Sequence, residues 1–155
     1  AAIINKFGVM GEELRFVLGS SKISGTLERA ADKIKNCSKR LSRMSAPLDL
    51  AVRQELQSAI AALEQMVPLA LSQLLEYQAS VTEELLRYGA MVQKSYRAIL
   101  LRLHAHQSPA DDETHILLVA KNLDQAADMT VEIMKICYFI HFATKYDKRA
   151  ASTAN

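Results

Sequence analysis

Tryptophan is absent from this chain, and glycine and proline are scarce, five and three among 155 residues. Proteins built from many short strands draw on glycine and proline for their turns, so the shortage favours a mostly helical chain. No apolar run approaches the roughly 18 residues needed to span a bilayer. The opening AAIINKFGVM lacks the long apolar core of a signal peptide, so a cytoplasmic location is expected. An excess of one charge is also missing: 19 basic against 17 acidic residues leave +2, too little to argue for nucleic acid or an anionic membrane. The two cysteines, Cys37 and Cys137, have no Cys or His nearby at metal-ligand spacing and are expected as buried free thiols. Half of the residues are hydrophobic and 23% charged, as in a soluble globular protein with a real core. The length suits one domain, or one complete unit and part of another.

Helical periodicity runs through the whole chain. Residues from about Met10 to Met44 read as one long helix with an apolar stripe of Leu14, Val17, Leu18, Ile23, Leu27, Ala30, Ala31, Ile34 and Leu41. Gly19 and Gly25 weaken that helix and so mark close packing against a neighbour. A second helix is expected from about Leu48 to Leu75, kinked at Pro68. Ser80 to Glu83 has the form of a capping box opening a third, which continues to about His104. Ser108 and Pro109 suit the cap and first position of a fourth, with Asp111, Asp112 and Glu113 at its positive end. That helix should run to about Thr144, and the tail from Asp147 should fray. Four long helices with short connections predict an all-α antiparallel bundle.

One short pattern occurs twice, as LERAADKIKN from Leu27 and LDQAADMTVE from Leu123. Glu28 and Asp32 stand four apart on one helix face, and so do Asp124 and Asp128. Glu132 adds a third acid one turn on. Like charges at this spacing cost a helix roughly a few tenths of a kcal/mol, which water, a basic partner or a metal must offset. Oxygen ligands on stacked turns suit a divalent metal or iron, while two solvated acidic edges would look the same. Lys33 and Lys35 can neutralise the first pair locally. The second pair sits in a more apolar context, before Met129, Thr130 and Val131. Matching turns in two long helices point to a duplicated unit.

Other residues carry less chemistry. His104 and His106 are two apart and face different ways, and His141 follows an apolar run, as a core histidine would. Asp112 and His115 have di-iron spacing without the partners. No glycine-rich elbow marks a nucleophile, and no phosphate-binding loop appears. Met66, Met91, Met129 and Met134 read as core filler.

Met10 to Asn36 and His115 to Ile133 together resemble the third-helix signature of PhoU proteins, bacterial regulators of phosphate uptake and signalling. The stretch LLEYQASVTEELLRYGAMVQKSYRAILLRL between them is similar to that family's middle-helix pattern. The resemblance implies three-helix bundles in tandem. Residues 1–44 would be the C-terminal part of the first, with AAIINKF as the end of a preceding helix. Residues 45–147 would be a complete second repeat, and 148–155 a disordered tail. The orphan first helix should leave an apolar stripe for a missing segment or another subunit to cover. Metal positions carried over from the family are Glu28 and Asp32, then Asp124 and Asp128, with Asn36 and Glu132 one turn on. The facing stretch, Gly89 to Gln93, departs from the family in having no carboxylate, which removes half of the second cluster's expected oxygen ligands. The implied function is a non-enzymatic, homodimeric adaptor between a phosphate-transporter ATPase and a sensor histidine kinase. It would meet the membrane only through those partners. A metal-binding helical bundle and a structural dimerisation module are the alternatives.

Overall fold

The computed structural model describes residues 2–105 and 110–151, with side chains placed for 11–105 and 110–149. The chain forms α1 (Ala2–Leu41), α2 (Leu50–Ser72), α3 (Ala79–Ala105), α4 (Ala110–Phe142) and a single turn α5 (Lys148–Ala151). No strand occurs among the described residues, so the fold is all-α as expected. α2, α3 and α4 pack on one another as a three-helix bundle, and α1 lies along α4. The expected cap at Ser108 and Pro109, His106, and the tail beyond residue 151 lie outside the described residues.

Helix boundaries follow from local chemistry that the periodicity missed. α1 continues back to Ala2, so Ala2 to Phe7 belong to the same helix and not to a preceding one. Proline is absent there, and nothing else in the segment removes a helical hydrogen bond. α2 starts at Leu50 because Asp49 accepts from the amides of Ala51 and Val52. It runs on past Pro68 and stops at Ser72, three residues early. The capping box expected at Ser80 is not used. Ser80 is already inside α3, and the Thr82 amide bonds Gln78, one residue before the helix. Ala143 ends α4 in the left-handed region, φ 54°. The segment expected to fray from Asp147 instead opens on a helical turn: the Asp147 carboxylate accepts from the Arg149 amide and starts α5.

α4 is the axis of the fold, buried toward α1 on one side and toward α2 and α3 on the other. Ile133, Met134 and Cys137 of α4 meet Met66 of α2 and Leu85, Val92 and Ile99 of α3 in the dry core. Each large apolar side chain removed from water there contributes about 1.5–3 kcal/mol. Met66 and Met134 are core residues as expected, whereas Met91 is half exposed. Cys37 and Cys137 are buried and unpaired. Burial pushes both thiols up, Cys137 to about 11, so neither is a ready nucleophile at neutral pH.

The two glycines of α1 have different meanings. A Cβ on Gly19 would run into the Ile140 side chain and stand 3.5 Å from Ile136, so α1 and α4 touch there. Nothing lies within 4 Å of a Cβ on Gly25, so close packing is not its reason. Gly25→Ala should therefore stabilise the protein by about 0.5–1 kcal/mol through helix propensity. Gly19→Ala should gain the same term and lose more, for a net cost of about 1 kcal/mol, since a buried Ile140 has nowhere to move. Urea denaturation of the two variants checks this; equal stabilisation of both would deny the close approach at Gly19.

Candidate functional site

The duplicated turn is best placed by the register of α1 against α4. Arg15 donates through Nε to the Ile140 carbonyl at 3.4 Å, Arg29 reaches Glu132 at 3.8 Å, and Cys37 donates to the Val119 carbonyl at 3.6 Å. Contacts thus step down α4 as they step up α1, and the helices are antiparallel. On this register Ala30 lies level with Ala126, and both are buried. These are matching positions of the two copies, and small side chains there let the helix axes come close.

The acids follow from the same geometry. On α1, Ile23, Thr26, Ala30 and Cys37 form the buried seam. Two residues on from a seam position, a helical side chain has turned about 200° away, so Glu28 and Asp32 stand on the outer face, exposed. Asp124 and Asp128 are level with them but on the far side of α4, toward α3. A Cβ on Gly89 would come within 3.9 Å of Val131; eight residues on along α3 and seven back along the antiparallel α4, Arg97 comes level with Asp124. Burial and the neighbouring Asp128 charge raise the Asp124 carboxyl above its ordinary range, and Arg97 draws it partly back. The two acidic turns share a height along the fold and face opposite ways.

The remaining ligand candidates do not complete either pair. Glu132 turns toward α1, where Arg29 faces it, and Arg29 also donates to Thr26 Oγ1 at 3.2 Å. Asn36 is exposed on α1. Among the described residues no group of three or more His, Cys, Asp or Glu side chains could hold a metal ion. Two carboxylates from one helix, with an arginine beside one pair, do not fit a multinuclear cluster. Asp112 serves structure: its carboxylate accepts from the Ser45 amide and hydroxyl and from the Ala46 amide. His141, expected in the core, is exposed at the end of α4, its Nε2 2.9 Å from the Gln73 carbonyl. His104 is exposed near the end of α3, bonded to the Leu100 carbonyl.

Sequence reasoning missed Arg97. It is one of 19 basic residues, and only the α3–α4 register singles it out. It also merged two faces of α1: Ile23 and Ala30 are buried, while Leu14, Val17 and Leu18 are exposed.

An all-α bundle with a duplicated acidic turn on its two longest-paired helices is the class that these observations define. The chain is similar to the phosphate-specific transport system accessory protein PhoU homologue of Rhizobium meliloti (strain 1021), 26% identical over 136 residues. The match takes in 84% of this chain and 57% of the relative, so the chain spans little more than half of that protein's length. The resemblance to PhoU proteins drawn from the helices and this relative point to the same family. No family model and no solved structure matches the chain. Among the described residues, no helix is long and apolar enough to cross a membrane.

Proposed function

We propose that the protein regulates phosphate uptake and phosphate-responsive signalling as a cytoplasmic, non-enzymatic adaptor between the phosphate-transporter ATPase and its sensor histidine kinase. The observation that carries this reading is the similarity to a phosphate-transport accessory protein over 136 residues, 84% of the chain. The architecture supports it. Long helices display charged faces on opposite sides at one height, which suits a molecule that contacts two partners together. Asp124 costs the bundle stability at neutral pH, since burial and the Asp128 charge raise its carboxyl.

The test is deletion of the gene in cells that encode the protein, with a phosphate-responsive reporter read at high and low phosphate. Loss of repression at high phosphate is the expected result, restored by the intact gene. A reporter that responds to phosphate as before would overturn the regulator reading. Replacement of Asp124 and Asp128 by asparagine separates the acidic face from the rest: the variant should fold and fail to restore repression.

A further inference from the structure

Among the described residues, α1 has a second apolar face that is left exposed. Leu14, Val17 and Leu18 are 57%, 62% and 60% exposed on successive turns, which water disfavours and which marks an interaction surface more often than chance. Beside them a groove of about 870 Å³ runs between α1 and the C-terminal half of α4. Leu14 and Leu18 form one wall, Ile136 and Phe139 the other, with Gly19 between them.

The rim of this groove is predominantly basic. Lys22, Lys135 and Lys145 line it, and among the described residues none of the three has an ion pair. Arg15 adds a fourth cation, tied by its Nε to the Ile140 carbonyl. Glu132 is the one acid on the lining, and it already faces Arg29 at 3.8 Å. The site therefore combines an apolar trough with unanswered positive charge on both helices.

We propose that this groove receives an acidic amphipathic helix from a partner protein. Its apolar stripe would lie between the leucine and isoleucine–phenylalanine walls, and its flanking carboxylates would meet the lysines. A helix fits because two antiparallel helices with a trough between them offer the seat a third helix takes in a bundle. A second copy meeting this face about a two-fold axis would set lysines against lysines. A membrane surface is flat, and these side chains line a concave trough. The proposal is independent of the phosphate reading and stands or falls on binding by the purified protein.

The probe is a labelled peptide of about 18 residues, five helical turns, with leucines at i, i+3, i+4 and i+7 and glutamates beside them. Its control has lysine at every glutamate position. Fluorescence anisotropy at low salt should show the acidic peptide binding at least about tenfold more tightly, with a preference that shrinks in high salt. Leu18→Asp should weaken it by about tenfold or more. The exposed pair Lys22→Glu with Lys135→Glu should reverse the order of the two peptides, with circular dichroism showing that both variants keep the fold. Equal binding of the peptides, or an order unmoved by the charge reversal, would overturn the proposal. So would binding of anionic phospholipid vesicles with no binding of the peptide, self-association through this face that excludes it, or a longer form of the chain whose preceding segment fills the groove and excludes the peptide.

Discussion

Gln73→Leu should cost the protein about 3 kcal/mol, although leucine is apolar and close to glutamine in size. Gln73 is fully buried at the turn between α2 and α3. Its Nε2 donates to the Gln78 carbonyl at 2.8 Å and to Thr82 Oγ1 at 3.0 Å, and its Oε1 accepts from the Gln78 amide at 2.7 Å. Thr82 passes its own proton to the Tyr77 hydroxyl at 2.9 Å. One side chain thus closes the loop, fixes the start of α3 and aligns Tyr77, which packs edge-on against Tyr138 and Phe142 of α4. Leucine would fill the space and leave the Gln78 amide without its acceptor. Gln73→Glu adds a pH test. A buried glutamate keeps the acceptor but loses the donor, and burial raises its pKa above the unfolded value. Its protonated form is the stable one, so that variant should be more stable at pH 5 than at pH 7, while Gln73→Leu should show no such dependence. Urea denaturation at the two pH values measures both effects. A loss below 1 kcal/mol for Gln73→Leu would mean that the turn is held by the aromatic cluster alone.

Gln73 also shows where the sequence stops being legible. The four helices could be read because apolar residues recur every three or four positions, a property of each segment by itself. The start of α3 could not. Ser80 and Glu83 have the spacing of a capping box, and the residue that organises the turn stands seven positions before Ser80, in what reads as the tail of α2. Capping rules see four residues at a time, while this turn is closed by a side chain folding back over five.

The acidic turns show the same division. Their spacing and duplication were legible, and so was the missing carboxylate between Gly89 and Gln93. Their orientation was not, because it depends on how α1 and α4 are set against each other. Once Ala30 is level with Ala126, the small residues of the motif explain themselves as the place where two long helices approach. The acids then fall outward on opposite sides, and Arg97 takes a position facing Asp124. Gly19 and Gly25 look alike in sequence, yet only Gly19 lies on that seam. Helix type is local information, and helix pairing is not.

Asp112→Asn should destabilise the protein at neutral pH by about 5 °C in Tm, through loss of charge-assisted hydrogen bonds. Asp112 is 2% exposed in the first turn of α4. It accepts from the Ser45 amide at 2.9 Å, the Ser45 hydroxyl at 2.9 Å and the Ala46 amide at 3.0 Å. The connection from α1 to α2 is thereby pinned to the end of α4, so that α1 stays in register along it. The Ser45 amide is the chief cause holding this carboxyl below its ordinary range, against the opposing effect of burial. The sign of the pH dependence follows. A carboxyl whose pKa is lower in the folded state contributes fully above its unfolded pKa, near 4, and loses that contribution as pH falls through the lower folded value. Wild-type Tm should therefore drop below about pH 4 more steeply than that of Asp112→Asn, and the two curves should converge in acid. Ser45→Ala removes only the hydroxyl donor and should lie between them at pH 7. Amide exchange at Ser45 and Ala46 should quicken in Asp112→Asn by more than that of the core amides of α3, which follow the global loss of stability. Curves that stay parallel from pH 7 to pH 3 would show that the charge of Asp112 does not hold the connection, and that α1 keeps its register through the contacts at Gly19, Ala30 and Cys37 alone.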